Sequence, residues 1–148
     1  MTTILVDADG CSVINETIAI AKEYRFPCIL LCDTAHEMHR DGAETITVSK
    51  GADAVDFVLV NRIKKGDIIV TQDYGLAAMA LAKQGFPLDQ NGRWFTNENI
   101  DQLLAARHKA QKIRRAGGRL RGPKKRTTEQ TEAFVVSLRK LCDTVPTI

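Results

Sequence analysis

The sequence predicts an α/β fold: three-layer αβα, with a central mostly parallel sheet and further helices at the C-terminus. Three observations point there. Apolar runs of strand length recur at Thr3-Ile4-Leu5-Val6, Cys28-Ile29-Leu30-Leu31-Cys32 and Asp67-Ile68-Ile69-Val70-Thr71. Each is nearly continuous rather than alternating, as expected of strands covered on both faces. Helical patterns lie between them, and strand–helix alternation builds right-handed βαβ units.

Taken in order, the first strand is followed by Ser12, an expected N-cap, and by Ile14, Ile18 and Ala21 at helical spacing. After the second strand comes a weaker one, Thr45-Ile46-Thr47-Val48, which alternates and is rich in β-branched residues. Val55, Val58, Leu59 and Arg62 fit a second helix; Leu76, Ala77, Ala80 and Leu81 fit a third, stopped by Gly85 and Pro87. Asn91-Gly92 marks a turn, and Thr96 or Asn97 caps a helix carrying Ile100, Leu103, Leu104 and Ala106. Gly117-Gly118 and Gly122-Pro123 predict a loop or hinge. A last helix, about 128–142, opens at Thr127 or Thr128 with Gln130 completing a capping box and Phe134, Val135, Leu138 and Leu141 as its apolar face.

The 148 residues suit one domain, 1–148, with an ordinary 44% hydrophobic content. No apolar run approaches the roughly 20 residues of a membrane helix. The N-terminus lacks a basic region before its apolar run, so the cytoplasm is the expected location. Cys11, Cys28, Cys32 and Cys142 form no C-x-x-C pair, and free buried thiols are expected.

Charge is unevenly placed. Residues 107–126 hold ten Lys or Arg and no acid, while 11 basic residues face 18 acidic ones elsewhere. An acidic body with one basic segment points to a polyanionic partner; the nuclease reading given below makes that partner nucleic acid, RNA more than DNA. A solvated basic helix and tail explains the charge about equally well. The residues expected to bind nucleic acid are Arg114, Arg115, Arg119, Arg121, Lys124, Lys125 and Arg126. Trp94 and Phe95 offer a stacking face, although a buried aromatic pair is the more ordinary role.

Ligands of open α/β sheets bind beyond the carboxyl ends of the strands. Asp7 and Asp9 follow the first strand, Asp73 follows the strand ending at Thr71, and Asp53 and Asp56 share one face of the second helix. Singly, Asp9, Asp53 and Asp73 are each explained by helix capping. Together, converging carboxylates repel unless a cation neutralises them, and hard oxygen ligands suit Mg²⁺ or Mn²⁺. Zinc is disfavoured because His36, His39 and His108 are not placed with the acids in sequence.

Asp7-Ala8-Asp9-Gly10-Cys11, Gly51-Ala52-Asp53-Ala54-Val55-Asp56, Gly66 to Tyr74 and Gly122-Pro123-Lys124 resemble the YaiI/YqxD family of uncharacterised bacterial proteins, over roughly Met1 to Leu141. Where that family usually has Asp-Ala-Cys-Pro, this chain has Asp9-Gly10-Cys11-Ser12, which removes no carboxylate. The family is similar to PIN-like nucleases. The resemblance implies a metal-holding acidic cluster in which Asp7 ends the first strand, Asp53 or Asp56 stands on the middle helix, and Asp73 follows the later strand. The expected function is metal-dependent phosphodiester hydrolysis, with metal at Asp7, Asp9, Asp53, Asp56 and Asp73 and catalysis at Asp7, Asp53, Asp56 and Asp73. Two other classes stay open. One is a non-catalytic nucleic-acid-binding module. The other is a small-molecule phosphatase of the haloacid-dehalogenase type, against which Cys11 stands where a Thr is needed.

Overall fold

The computed structural model describes residues 2–49, 54–115 and 125–145. Among these residues, five strands and five α-helices follow one another in the order β1 (Ile4–Asp7), α1 (Ile14–Tyr24), β2 (Cys28–Asp33), β3 (Glu44–Val48), α2 (Ala54–Arg62), β4 (Ile68–Val70), α3 (Tyr74–Ala82), β5 (Phe86–Leu88), α4 (Ile100–Arg115) and α5 (Thr128–Thr144). All strand pairs are parallel, in the order β3-β2-β1-β4-β5. The expected three-layer α/β architecture is therefore present, with a fully parallel described sheet.

Alternation along the strands sorts the core into two layers. Ile4, Val6, Leu30, Cys32, Ile68 and Val70 face the side covered by α1 and α5, where Ile18, Phe134 and Leu138 pack on them. Leu5, Leu31 and Ile69 face the other side, against Leu59 of α2 and Leu76 of α3. Each such buried side chain contributes about 1.5–3 kcal/mol from removal of apolar surface from water. The two helix layers follow from right-handed crossovers. The chain leaves β1 toward β2 and β3 with α1 on one face, then returns to β4 and β5 with α2 and α3 on the other.

Two local readings are corrected. Ser12 does not cap α1; Val13 occupies the N-cap without a side-chain hydrogen bond, and Thr17 donates its hydroxyl to the Val13 carbonyl instead. Strand β5 occupies residues that were expected only to stop α3. Pro87 suits an edge strand because the residues on either side make the ladder bonds: Phe86 donates to the Asp67 carbonyl, and Leu88 accepts from Thr71. The missing N–H of Pro87 faces away from β4, and its carbonyl accepts from Phe95.

Beyond β5, Asp89 Oδ1 accepts from the Asn91 and Arg93 amides and closes a turn. Gly92 sits there at φ 87°, and a Cβ would lie 2.6 Å from the Ala133 carbonyl oxygen of α5, so a glycine is required for both reasons. Thr127 and Gln130 form the expected capping box at the start of α5. The expected loop at Gly117-Gly118 and Gly122-Pro123 lies outside the described residues.

Candidate metal centre and basic rim

The strand order reverses direction between β1 and β4, the place where an open α/β sheet splays its loops apart and forms a crevice. Asp7 ends β1 on one side of it, and Thr71 and Asp73 follow β4 on the other. Thr71, fully buried, ties the two together. Its hydroxyl donates to Asp7 Oδ2 at 2.9 Å and accepts from the Asp73 amide at 3.0 Å. Asp73 also caps α3, Oδ1 accepting from the Gly75 and Leu76 amides at 2.8 and 3.1 Å. The capping role expected for Asp73 is thus real, and the same side chain lines the crevice.

Burial pushes the Asp7 carboxyl up to about 6. The Thr71 hydrogen bond opposes that rise, and the negative charges of Asp73 and Asp9 add to it. Asp7 therefore stands within the field of two other expected acids, which sequence spacing alone could not establish. Asp7, Gln72, Asp73, Tyr74 and Arg107 line a cleft of about 380 Å³. A larger hollow, about 940 Å³, lies at the opposite ends of the strands against Thr2, Gly66, Phe86 and Trp94. It is chiefly apolar and lacks converging carboxylates, so the smaller cleft is the better candidate for chemistry.

Asp9 turns toward β2 and does not cap α1. Its Oδ2 accepts from the Asp33 amide at 3.3 Å, and its buried Oδ1 has no hydrogen bond. His36 Nδ1 stands 3.6 Å from that oxygen and 2.9 Å from Asp33 Oδ1. At 3.6 Å the contact with Asp9 is too long for a hydrogen bond. The expectation that no histidine lies with the acids is corrected, because His36 belongs to a one-turn 3-10 helix at the end of β2, beside the β1 end. The hydrogen bond from His36 holds the Asp33 carboxyl below its usual range. Asp33 and His36 are the site residues that sequence reasoning missed; the clue lay in Asp33 ending the strand paired with β1.

Asp56 lies half-buried in the first turn of α2, the helix that packs over β1 and β2. Asp53 lies outside the described residues. The thiols behave as expected of free cysteines, with Cys28, Cys32 and Cys142 buried and Cys11 half-buried. Burial pushes Cys28 and Cys142 up to about 12, which keeps them as neutral thiols.

The basic segment starts and ends at this edge. Arg107 Nη1 lies 3.6 Å from Asp73 Oδ1. Arg126 donates to Asn91 Oδ1 at 2.7 Å, to Thr131 Oγ1 at 3.2 Å and to the Gln90 carbonyl. Gln90 in turn accepts from the Ser12 amide and donates to Gln72. Arg126, expected at phosphates, thus holds the β5 turn to α5. Lys125 is exposed, while Arg119, Arg121 and Lys124 lie outside the described residues, as do the side chains of Arg114 and Arg115 in the last turn of α4. The expected aromatic pair is divided: Phe95 is buried edge-on against Tyr74, and Trp94 is exposed.

Residues 5–144 match the family described as "Uncharacterized BCR, YaiI/YqxD family". The chain belongs to this family. YaiI/YqxD relatives include a UPF0178 protein of Exiguobacterium sibiricum, 58% identical over 93% of this chain and 94% of the relative. A UPF0178 protein of Clostridium acetobutylicum is 45% identical over 93% of this chain and 95% of its own length. Another, from Natranaerobius thermophilus, is 44% identical over 93% and 94%. No solved structure matches the chain. The YaiI/YqxD match spans both the Asp7–Asp9 and the Asp73 segments, so the whole acidic edge lies within the family region. No helix among the described residues is long and apolar enough to cross a membrane.

Proposed function

We propose that this protein is a metal-dependent nuclease of PIN-like type that hydrolyses phosphodiester bonds, with RNA as the favoured substrate. The observation that carries the reading is the Thr71-linked pair Asp7 and Asp73 at the sheet's switch point, with Asp7 pushed up to about 6 by burial and by neighbouring acids. Such a site is short of positive charge. Its donors are oxygens, which fit Mg²⁺ or Mn²⁺. Asp7 and Asp73 would hold the ion, joined by Asp9, Asp56 and Asp53. A divalent ion there would supply an acidified water and neutralise charge growing on the phosphate.

The protein's own groups have definite tasks. Thr71 fixes the Asp7 carboxylate and keeps its Oδ2 as an acceptor. Asp73 is oriented by the N-terminus of α3, whose amides hold one oxygen. The basic segment would track the nucleic-acid backbone. The reducing cytoplasm suits the four free thiols.

Incubation of a labelled RNA with the protein and Mn²⁺, against the same mixture with EDTA, tests the reading. Metal-dependent cleavage abolished by Asp7→Asn is the expected result. RNA that is bound but never cut would favour the non-catalytic binding module, for which the capping work of Asp73 is the supporting observation.

A further inference from the structure

We infer that Arg107 is the phosphate-binding residue of the acidic cleft, released from Asp73 when substrate arrives. The inference rests on the nuclease reading above and names the group that would receive the substrate's anionic oxygens. A phosphodiester entering a cleft walled by Asp7 and Asp73 meets repulsion, and a bound cation is only one remedy. Among the described residues lining that cleft, Arg107 is the only cation.

Its placement is built rather than accidental. Helix α4 is fixed at its start by reciprocal bonds, Thr96 Oγ1 accepting from the Asn99 amide and Asn99 Oδ1 accepting from the Thr96 amide. Ile100, Leu103 and Leu104 then pack with Ala77 of α3. Arg107 lies four residues after Leu103 and three after Leu104, on the same helical face, so the packing that seats α4 also aims the guanidinium at the cleft.

The contact with Asp73 is loose. Asp73 Oδ1 already accepts two amide hydrogens at 2.8 and 3.1 Å, and Arg107 stays at 3.6 Å with half of its side chain exposed. Its donors remain available, and a guanidinium fork matches two non-bridging phosphate oxygens. Arg107 also competes with any metal for the field of Asp73. Losing it should therefore move metal affinity and cleavage in opposite directions, a signature that mere structural damage would not give.

The test measures Mn²⁺ binding by calorimetry, and both anisotropy and single-turnover cleavage of a short labelled single-stranded RNA. Arg107→Ala should bind Mn²⁺ about two- to fivefold more tightly, the range expected for removing an exposed ion-pair partner. It should bind RNA more weakly and cleave it about 10²-fold more slowly. Arg107→Lys should restore wild-type Mn²⁺ affinity but only part of the cleavage, since an ammonium lacks the fork. Weaker Mn²⁺ binding in Arg107→Ala, or unchanged cleavage beside an active wild type, overturns the inference and leaves the nuclease reading intact. A wild type that binds Mn²⁺ without cutting RNA sinks the nuclease reading. The inference then stands if RNA affinity depends on Arg107 and falls if it does not. Absence of Mn²⁺ binding in the wild type overturns both.

Discussion

At the scale of single residues, Thr71 deserves the first experiment, because one hydroxyl serves two carboxylate-bearing residues. Thr71→Val keeps the volume and removes both bonds. The Asp7 carboxyl, deprived of the bond that lowers it, should titrate above about 6, as followed by carboxyl NMR. The metal-free protein should lose about 1–3 kcal/mol for the orphaned Asp73 amide, read from urea denaturation. Asp7 itself gives a prediction in pH. Its folded carboxyl holds a proton more tightly than the unfolded one, about 6 against 3.8. The stability it contributes is present below pH 3.8 and is lost as pH rises to about 6, because the unfolded state sheds the proton first. In the metal-free protein the loss should be about 1–2 kcal/mol once solvent screening is allowed for. Asp7→Asn should flatten that slope, and saturating Mn²⁺ should reverse it in the wild type. Asp33 was passed over although it ends β2, whereas Asp7 and Asp73 were legible as acids that close or follow an apolar run. His36 was not, since it meets Asp9 through the pairing of β1 with β2, and linear spacing says nothing of that register.

At the scale of elements, the clasp between the β5 turn and α5 decides what Arg126 does. Its guanidinium reaches Asn91, Gln90 and Thr131 while Ser137 donates to the Gly92 carbonyl, so helix and turn are joined at two points. Arg126→Ala should lower the unfolding free energy by about 1–2 kcal/mol, measured by denaturant titration. An unchanged midpoint would return Arg126 to the set of free phosphate contacts. The start of α5 was readable because Thr127 and Gln130 spell a capping box, and Asn91-Gly92 spelled the turn. Strand β5 was hidden because it has only three residues and a proline at its centre. Only the neighbouring β4 reveals that the proline's missing donor faces outward.

At the scale of the whole molecule, parallel layering was legible from the apolar runs, and the crossover geometry followed from chirality. The partner expected for residues 107–126 is still best tested by charge. Replacing Arg119, Arg121, Lys124 and Lys125 by Ala should weaken RNA binding several-fold and flatten its salt dependence, in gel shifts at two salt concentrations. Unchanged affinity and slope would leave the segment as a solvated tail. The strand order has a further consequence, in time rather than in space. The central strand β1 comes first along the chain, and its neighbour β4 arrives about sixty residues later, Thr71 and Asp7 being 64 positions apart. Closing so long a loop costs entropy before any contact repays it. The β1-α1-β2 unit can form early and locally, whereas Asp73 reaches Asp7 only once β4 has docked. In a refolding experiment, the appearance of Mn²⁺ affinity should therefore lag behind the helical signal and mark the closure of the sheet.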